Sequence, residues 1–283
     1  MIPVAFNYEV AESVDNAIEL LGQHGEDAKL IAGGHSLIPL MRLRLAAPTV
    51  LIDLDRLDDL RYVREDGDHL AIGALTRHRD VHNNELINEH CGILSYTAGL
   101  LGDPSVQHRG TIGGTLAHGD PAGDMPSVMC ALEGELVIKG PDGERTVGAI
   151  DFFKDYLFTD LELQEVVTEV RVPKLGSNTG WSYKKFSRRS QDWAIVGVAA
   201  VVEKSNGGID SARIGLTSMG STPIRASATE EALSGASADQ VEEAANSADE
   251  GTSPAADDAA SAEFRRHLAR VWTRRAVEEA LNR

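Results

Sequence analysis

Cysteine is nearly absent. Cys91 and Cys130 are the only two in 283 residues, and they stand far apart with no CxxC partner. An iron–sulfur cluster takes about four thiolates, so two thiols exclude one. They are expected to be buried and reduced. No apolar run reaches the ~18–20 residues of a membrane-spanning helix. The start, Met1-Ile2-Pro3-Val4-Ala5-Phe6-Asn7-Tyr8, lacks the basic-then-apolar order of a signal peptide, so a cytoplasmic location is expected. Positive charge is also scarce. The net charge is −17, and seven of the 27 basic residues are lysine. Such a surface repels nucleic acid and anionic lipid. It suits a salt-rich, halophilic cytoplasm, where screening makes self-repulsion tolerable. An ordinary acidic protein is the alternative, since much of the excess lies in one C-terminal stretch. No GxGxxG follows a strand and no GxxxxGK[ST] occurs, so neither a Rossmann site nor a P-loop is present. His78, His82 and His90 share no ligand spacing with acids or thiols, and no metal site is expected.

What the chain does have is two glycine loops: Ala32-Gly33-Gly34-His35-Ser36 and Thr111-Ile112-Gly113-Gly114-Thr115. Glycine lets a backbone approach a ligand closely or adopt positive φ. Successive exposed amides then make a cavity for an anion. Two such loops suggest a ligand with two phosphates, hence a dinucleotide.

The length allows two domains. Ser13 is expected to cap a helix through about Gln23. Residues 28–32 read as a buried strand that feeds the first loop. Ser36 is expected to cap a helix over 37–45, with Pro39 in its first turn. Residues 49–54 are the next strand. A second unit begins near Asp58, with a strand over 69–74 and helices over 76–83 and 91–101. Asp124 is expected to cap a helix over 125–132. A hairpin turns at 141–143, and a strand ends at Pro173. Residues 175–180 read as a linker. Beyond it come strands over 181–186, 194–202 and 212–217, with a turn at Asn206-Gly207-Gly208. Helices follow over 227–233 and 238–248. Residues 250–260 read as a solvated connector. The last helix covers 264–281, with apolar residues Phe264, Leu268, Val271, Trp272, Val277 and Leu281.

Several side chains near the loops carry two readings each. His35 either touches a phosphate or is a locally bonded loop histidine. Arg109 either pairs with a phosphate or makes a surface ion pair. Asp120 and Asp124 either form an acid/base pair or cap and accept sugar hydroxyls. Arg188, Arg189, Asp192 and Trp193 mark a polar turn whose aromatic either covers a flat ring or anchors a hairpin. Lys184 and Lys185 share a strand, so one faces inward.

Three stretches together resemble one family: AGGHSLIPLMRLRLAAPTVLIDL at 32–54, QHRGTIGGTLAHGDPAGDMPSVMCAL at 107–132 and FSRRSQDWAIVGVAA at 186–200. The family is the FAD-binding medium subunit of molybdenum hydroxylases, including carbon monoxide dehydrogenase medium subunits and xanthine dehydrogenase FAD subunits. The resemblance implies an α+β chain. A PCMH-type FAD-binding domain would cover 1–176, with two α/β subdomains over about 1–57 and 58–176. A C-terminal domain with a three-stranded antiparallel sheet and helices would cover 177–283. It places Ala32, Gly33, Gly34, His35, Ser36, Thr111, Ile112, Gly113, Gly114 and Thr115 around the FAD diphosphate. It places Asp124 on ribityl or ribose hydroxyls, Lys185 near the flavin and Trp193 against the isoalloxazine face. Trp193 stands where many members have tyrosine. No catalytic acid or base is implied. Members with an additional cluster carry a cysteine-bearing insertion that this chain lacks, so FAD is the only cofactor expected.

The implied partners are a large molybdopterin-binding subunit and a small [2Fe–2S] subunit, in a dimer of heterotrimers. Electrons would pass through FAD to quinone, NAD or oxygen. The substrate, whether carbon monoxide, a purine, an aldehyde or an N-heterocycle, would bind the large subunit. A stand-alone FAD oxidoreductase of the same fold and a flavin-free assembly protein are the other readings.

Overall fold

The computed structural model describes residues 2–205 and 208–283. The chain opens with a three-stranded parallel sheet in the order Asn7–Val10, Val50–Asp53, Ala28–Ile31. The central strand carries the apolar run Val50, Leu51 and Ile52. All three are buried, as the middle of a covered parallel sheet requires. Ser13 caps the helix Val14–His24 by accepting from the Asn16 amide. That helix lays Ala17, Ile18 and Leu21 into the core. The first glycine loop leaves the C-terminal end of Ala28–Ile31. Ligands of parallel α/β sheets sit at such ends.

The next layer is a five-stranded antiparallel sheet. Its order is Val63–Asp66, His69–Gly73, Val166–Pro173, Glu135–Gly140, Gly143–Gly148. Helices cover one face, and Leu70, Ile72, Leu136, Ile138 and Val170 pack there against Leu116, Met125 and Met129. The buried thiols belong to this core, and burial pushes both up to about 12.

The expected three-stranded C-terminal sheet has four strands: Thr179–Phe186, Val196–Ser205, Gly208–Thr217 and Ile224–Arg225. The fourth has two residues, too few for any periodic signal, and follows Pro223. Arg225 is held there by Glu230 and Glu133. The expected turn at Asn206-Gly207-Gly208 falls at positions 206 and 207, outside the described residues.

The long helix runs Ala262–Leu281, capped by Ser261. Its buried face is built largely of Ala269, Thr273, Ala276 and Ala280, which let it lie close on the sheet. Phe264, expected on that face, is exposed and meets Phe186 edge-on. The helix expected over 238–248 breaks into short turns around Val241–Ala244. The stretch 250–260 is irregular but tied down, for the Ser253 amide donates to Met219 and Arg265 pairs with Asp257. No helix among the described residues is long and apolar enough to cross a membrane.

The helix Asp124–Leu132 is buried along its whole length. The five-stranded sheet lies on one side of it and the C-terminal sheet on the other. Contact with the C-terminal sheet is made at Gly215, where a Cβ would stand 2.0 Å from the Ser127 carbonyl oxygen. Ser127 Oγ and Thr217 Oγ1 share a hydrogen bond of 2.5 Å beside it. Gly215→Ala is therefore expected to lower stability by about 3 kcal/mol, the upper range for overpacking. Urea unfolding of the full chain measures it.

Candidate dinucleotide site

The two glycine loops, distant in sequence, press against each other. A Cβ on Gly33 would lie 2.2 Å from the Arg109 carbonyl oxygen and 2.7 Å from Gly110 Cα. Only glycine permits that approach. Gly34 turns the chain at φ +72°. A Cβ on Gly114 would lie 2.7 Å from the capping Thr111 Oγ1 and 3.8 Å from Ala32 Cβ of the first loop.

The amides of the two loops differ, and only the first loop has the unbonded run that the sequence suggested for both. In the first, the amides of Gly33, Gly34, His35 and Ser36 make no hydrogen bond among the described residues. In the second, every amide from Ile112 to Thr115 is used. Ile112 donates to Thr76 O at 3.0 Å and Gly113 to Ala74 O at 2.9 Å. Gly114 donates to Thr111 Oγ1 at 3.2 Å and Thr115 to Thr111 O at 3.1 Å. Thr111 is buried and caps the helix Ile112–His118. The first loop presents donors, and the second is a rigid wall. Ser36 does not cap Leu37–Leu43: it is already αR, and the turn is closed by the Ile38 amide on Gly34 O. His35 and Ser36 both face solvent.

His78 lies beneath this junction, a residue that sequence reading weighed only as a metal ligand. Its amide donates to Gly110 O at 3.0 Å. Its ring is buried, and Nδ1 has no partner among the described residues. Burial pushes the imidazole down to about 4, so it is neutral at pH 7.

A second group of residues lies where the domains meet. Gly123, not Asp124, is the N-cap of Asp124–Leu132. Asp124 is the first helical residue and is 3% exposed. Its Oδ1 accepts from Tyr183 Oη at 2.6 Å, and its Oδ2 accepts from Lys185 Nζ at 2.8 Å. Burial raises the Asp124 pKa against the opposing pull of the Lys185 ammonium. The strand alternates as expected. Lys185 points inward, and Lys184 points outward to Glu279. Tyr183, two residues from Lys185, shares its face, so the alternation itself signals it. Each Asp124 oxygen keeps a further lone pair for a ligand hydroxyl. Asp120 forms a local turn with the Ala122 amide, and among the described residues no hydrogen bond joins it to Asp124, whose pKa its charge helps to raise.

Trp193 is 70% exposed on the wall of a cleft of about 660 Å³, shared with Asp120, Tyr156, Arg188 and Ser218. Its turn is braced by Ser218, whose Oγ donates to Ala194 O at 2.8 Å and whose amide donates to Pro121 O at 2.9 Å. Ser218 has φ +63°, a strained value for serine with no sequence signal. Free amides on one loop, a wall opposite and a polar floor at the domain junction fit an extended dinucleotide with a flat ring.

Between pH 6.5 and 4 the unfolded chain takes up a proton at residue 78 that the folded chain refuses. Stability from this group is therefore complete above pH 6.5 and falls by about 3 kcal/mol on acidification to pH 4. His78→Leu should flatten that part of the pH profile in urea unfolding. Lys185→Met leaves Asp124 buried without its cation and should cost roughly 3 kcal/mol at pH 7. Adding Asp124→Asn should restore part of that loss in the same measurement.

Residues 4–175 match the family described as the FAD binding domain in molybdopterin dehydrogenase. Residues 181–280 match the CO dehydrogenase flavoprotein C-terminal domain. The chain is 41% identical to the carbon monoxide dehydrogenase medium chain of Hydrogenophaga pseudoflava, over 99% of this chain and 98% of that one. It is 37% identical to the 6-hydroxypseudooxynicotine dehydrogenase complex subunit alpha of Paenarthrobacter nicotinovorans, over 100% and 97%. The solved carbon monoxide dehydrogenase from Hydrogenophaga pseudoflava superposes with a TM-score of 0.98 at 43% identity, covering 100% and 99% of the two chains. Quinoline 2-oxidoreductase from Pseudomonas putida 86 superposes with a TM-score of 0.95 at 32% identity, again covering 100% and 99%. The chain belongs to the FAD-binding medium subunits of carbon monoxide dehydrogenase-like molybdenum hydroxylases, a family of oxidoreductase subunits whose cofactor is FAD.

Proposed function

We propose that this subunit relays electrons from the [2Fe–2S] clusters of a small subunit to an external acceptor, inside a complex whose large molybdopterin-binding subunit oxidises the substrate. A dimer of such heterotrimers is the assembly this reading carries. The observation that supports it most is the pairing of the two loops. The first loop, whose amides from Gly33 to Ser36 are unbonded among the described residues, packs beside the loop of Thr111, Ile112, Gly113, Gly114 and Thr115, with Ala32 at the contact. That arrangement supports a diphosphate cradle. Bound FAD would supply the exchange between single-electron and paired-electron transfer.

The chain's own residues hold and orient. The first loop donates amides to phosphate oxygens. Asp124, fixed by Tyr183 and Lys185, offers its remaining lone pairs to the sugar alcohol chain. Lys185 sets a positive charge beside the ring, which favours electron density there. Trp193 stands exposed at the cleft where an acceptor would approach, and it would shield one face of a bound ring from water. Carbon monoxide is the substrate class favoured by two similar relatives named as carbon monoxide dehydrogenase medium chains, with N-heterocycles and aldehydes next. The acidic, lysine-poor surface supports a salt-rich cytoplasm as the setting.

Purified from its host, the chain should bring two further chains with it and absorb near roughly 370 and 450 nm, as a bound flavin does. Gly114→Asp places a carboxylate in the gap between the loops. That complex should keep its subunits, lose both bands and lose substrate-driven reduction of any acceptor. A chain that purifies alone and turns over substrate would refute the relay role.

A further inference from the structure

On a chain of net charge −17, three guanidinium groups converge on one carboxylate beside the junction of the glycine loops. The carboxylate is Asp55. It follows the central strand Val50–Asp53 and lies at the sheet edge from which the first glycine loop leaves. Arg61 already satisfies it, donating to Asp55 Oδ1 at 2.6 Å and to Asp55 O at 2.8 Å. Arg61 also reaches Asp58 Oδ1 at 2.5 Å.

Arg77 and Arg109 stand differently. Their nearest approaches to Asp55 are 3.8 and 3.9 Å, beyond hydrogen-bond range. Neither guanidinium makes a hydrogen bond among the described residues. Their side chains are 35% and 51% exposed. Both are nonetheless tied to the loops through the main chain. The Arg109 carbonyl is the atom against which Gly33 packs. Arg77 pairs with Thr111 across an antiparallel bridge. Each arginine therefore leaves the backbone at a loop and keeps its donors uncommitted.

We propose that Arg77 and Arg109 are diphosphate-positioning residues that close on the cofactor's phosphates from the open side of the loop junction. The proposal rests on the FAD reading of the two loops and deepens it. The first loop offers amides but no formal charge, and a diphosphate carries two negative charges. A guanidinium fork matches phosphate oxygens in shape and adds charge-assisted hydrogen bonds. Asp55 holds the two arginines near the site without binding them, and it opposes the incoming anion.

The test uses the full chain stripped of flavin and titrated with FAD, read by flavin fluorescence, with riboflavin as the probe lacking phosphate. Arg77→Gln and Arg109→Gln should each raise the FAD Kd about 10-fold, and the double variant more. Arg109→Lys should recover part of the loss. Asp55→Asn should lower the FAD Kd, and a purely structural ion pair would give no such gain. Riboflavin affinity should stay unchanged throughout. A double variant with an FAD Kd within about twofold of the parent, or with riboflavin affinity lowered in step, would overturn the proposal. Gly114→Asp separates the two claims. If it abolishes FAD binding while the arginine variants bind normally, the loop reading stands and the arginine role falls. If Gly114→Asp binds FAD as well as the parent, both fall.

Discussion

Everything at this site depends on one backbone contact: Gly33 against the Arg109 carbonyl and Gly110. It brings a loop from the parallel sheet against a loop from the antiparallel unit with no side chain between them. A methyl group there would push the loops apart, and four other features would move with it. The unbonded amides of the first loop would move away from the second loop. Thr111 would lose its place under the helix Ile112–His118. The His78 ring would lose its cover. Arg109 would no longer stand beside Asp55. Close packing carries such shifts because the interior is dense and has few other arrangements.

The second constraint is the buried polar junction of Asp124, Lys185 and Tyr183. Burying a carboxylate and an ammonium costs desolvation that their attraction only partly offsets. A well-packed apolar pair would serve stability as well. An ion pair here does what an apolar pair cannot: it places a fixed positive charge and spare acceptor sites at the meeting of two domains. The helix Asp124–Leu132 makes this possible by lying between the five-stranded and four-stranded sheets, so that Tyr183 and Lys185 of one C-terminal strand both reach a carboxylate of the preceding domain.

Much of the chain was legible from local signals. The Ser13 cap, the hairpin around 141–143 and the strand ending at Pro173 all follow from residue chemistry within a few positions. Strand alternation required one of Lys184 and Lys185 to face inward, and it is Lys185. The errors also have physical causes. Ser36 reads as a cap in sequence but sits in a turn already closed by Gly34. Asp124 reads as a cap but enters the helix, because Gly123 supplies the extended residue and Lys185 binds the carboxylate. The strand Ile224–Arg225 is held by Glu133 and Glu230 from elsewhere in the chain. At Ser36 a neighbouring glycine turn took over the cap's work, while at Asp124 and Arg225 a distant partner, Lys185 or Glu133, also bears on the outcome.

By itself the sequence showed the two glycine loops, the order of most elements and the lack of P-loop and Rossmann patterns, because those depend on which residues occur and at what spacing. The ligand class came from the family resemblance of three stretches. Only the tertiary structure decided how the two glycine loops divide their work. Whether an amide is free or bonded depends on which carbonyl lies opposite, and Thr76 and Ala74 are brought to the second loop by a fold that leaves the first loop open.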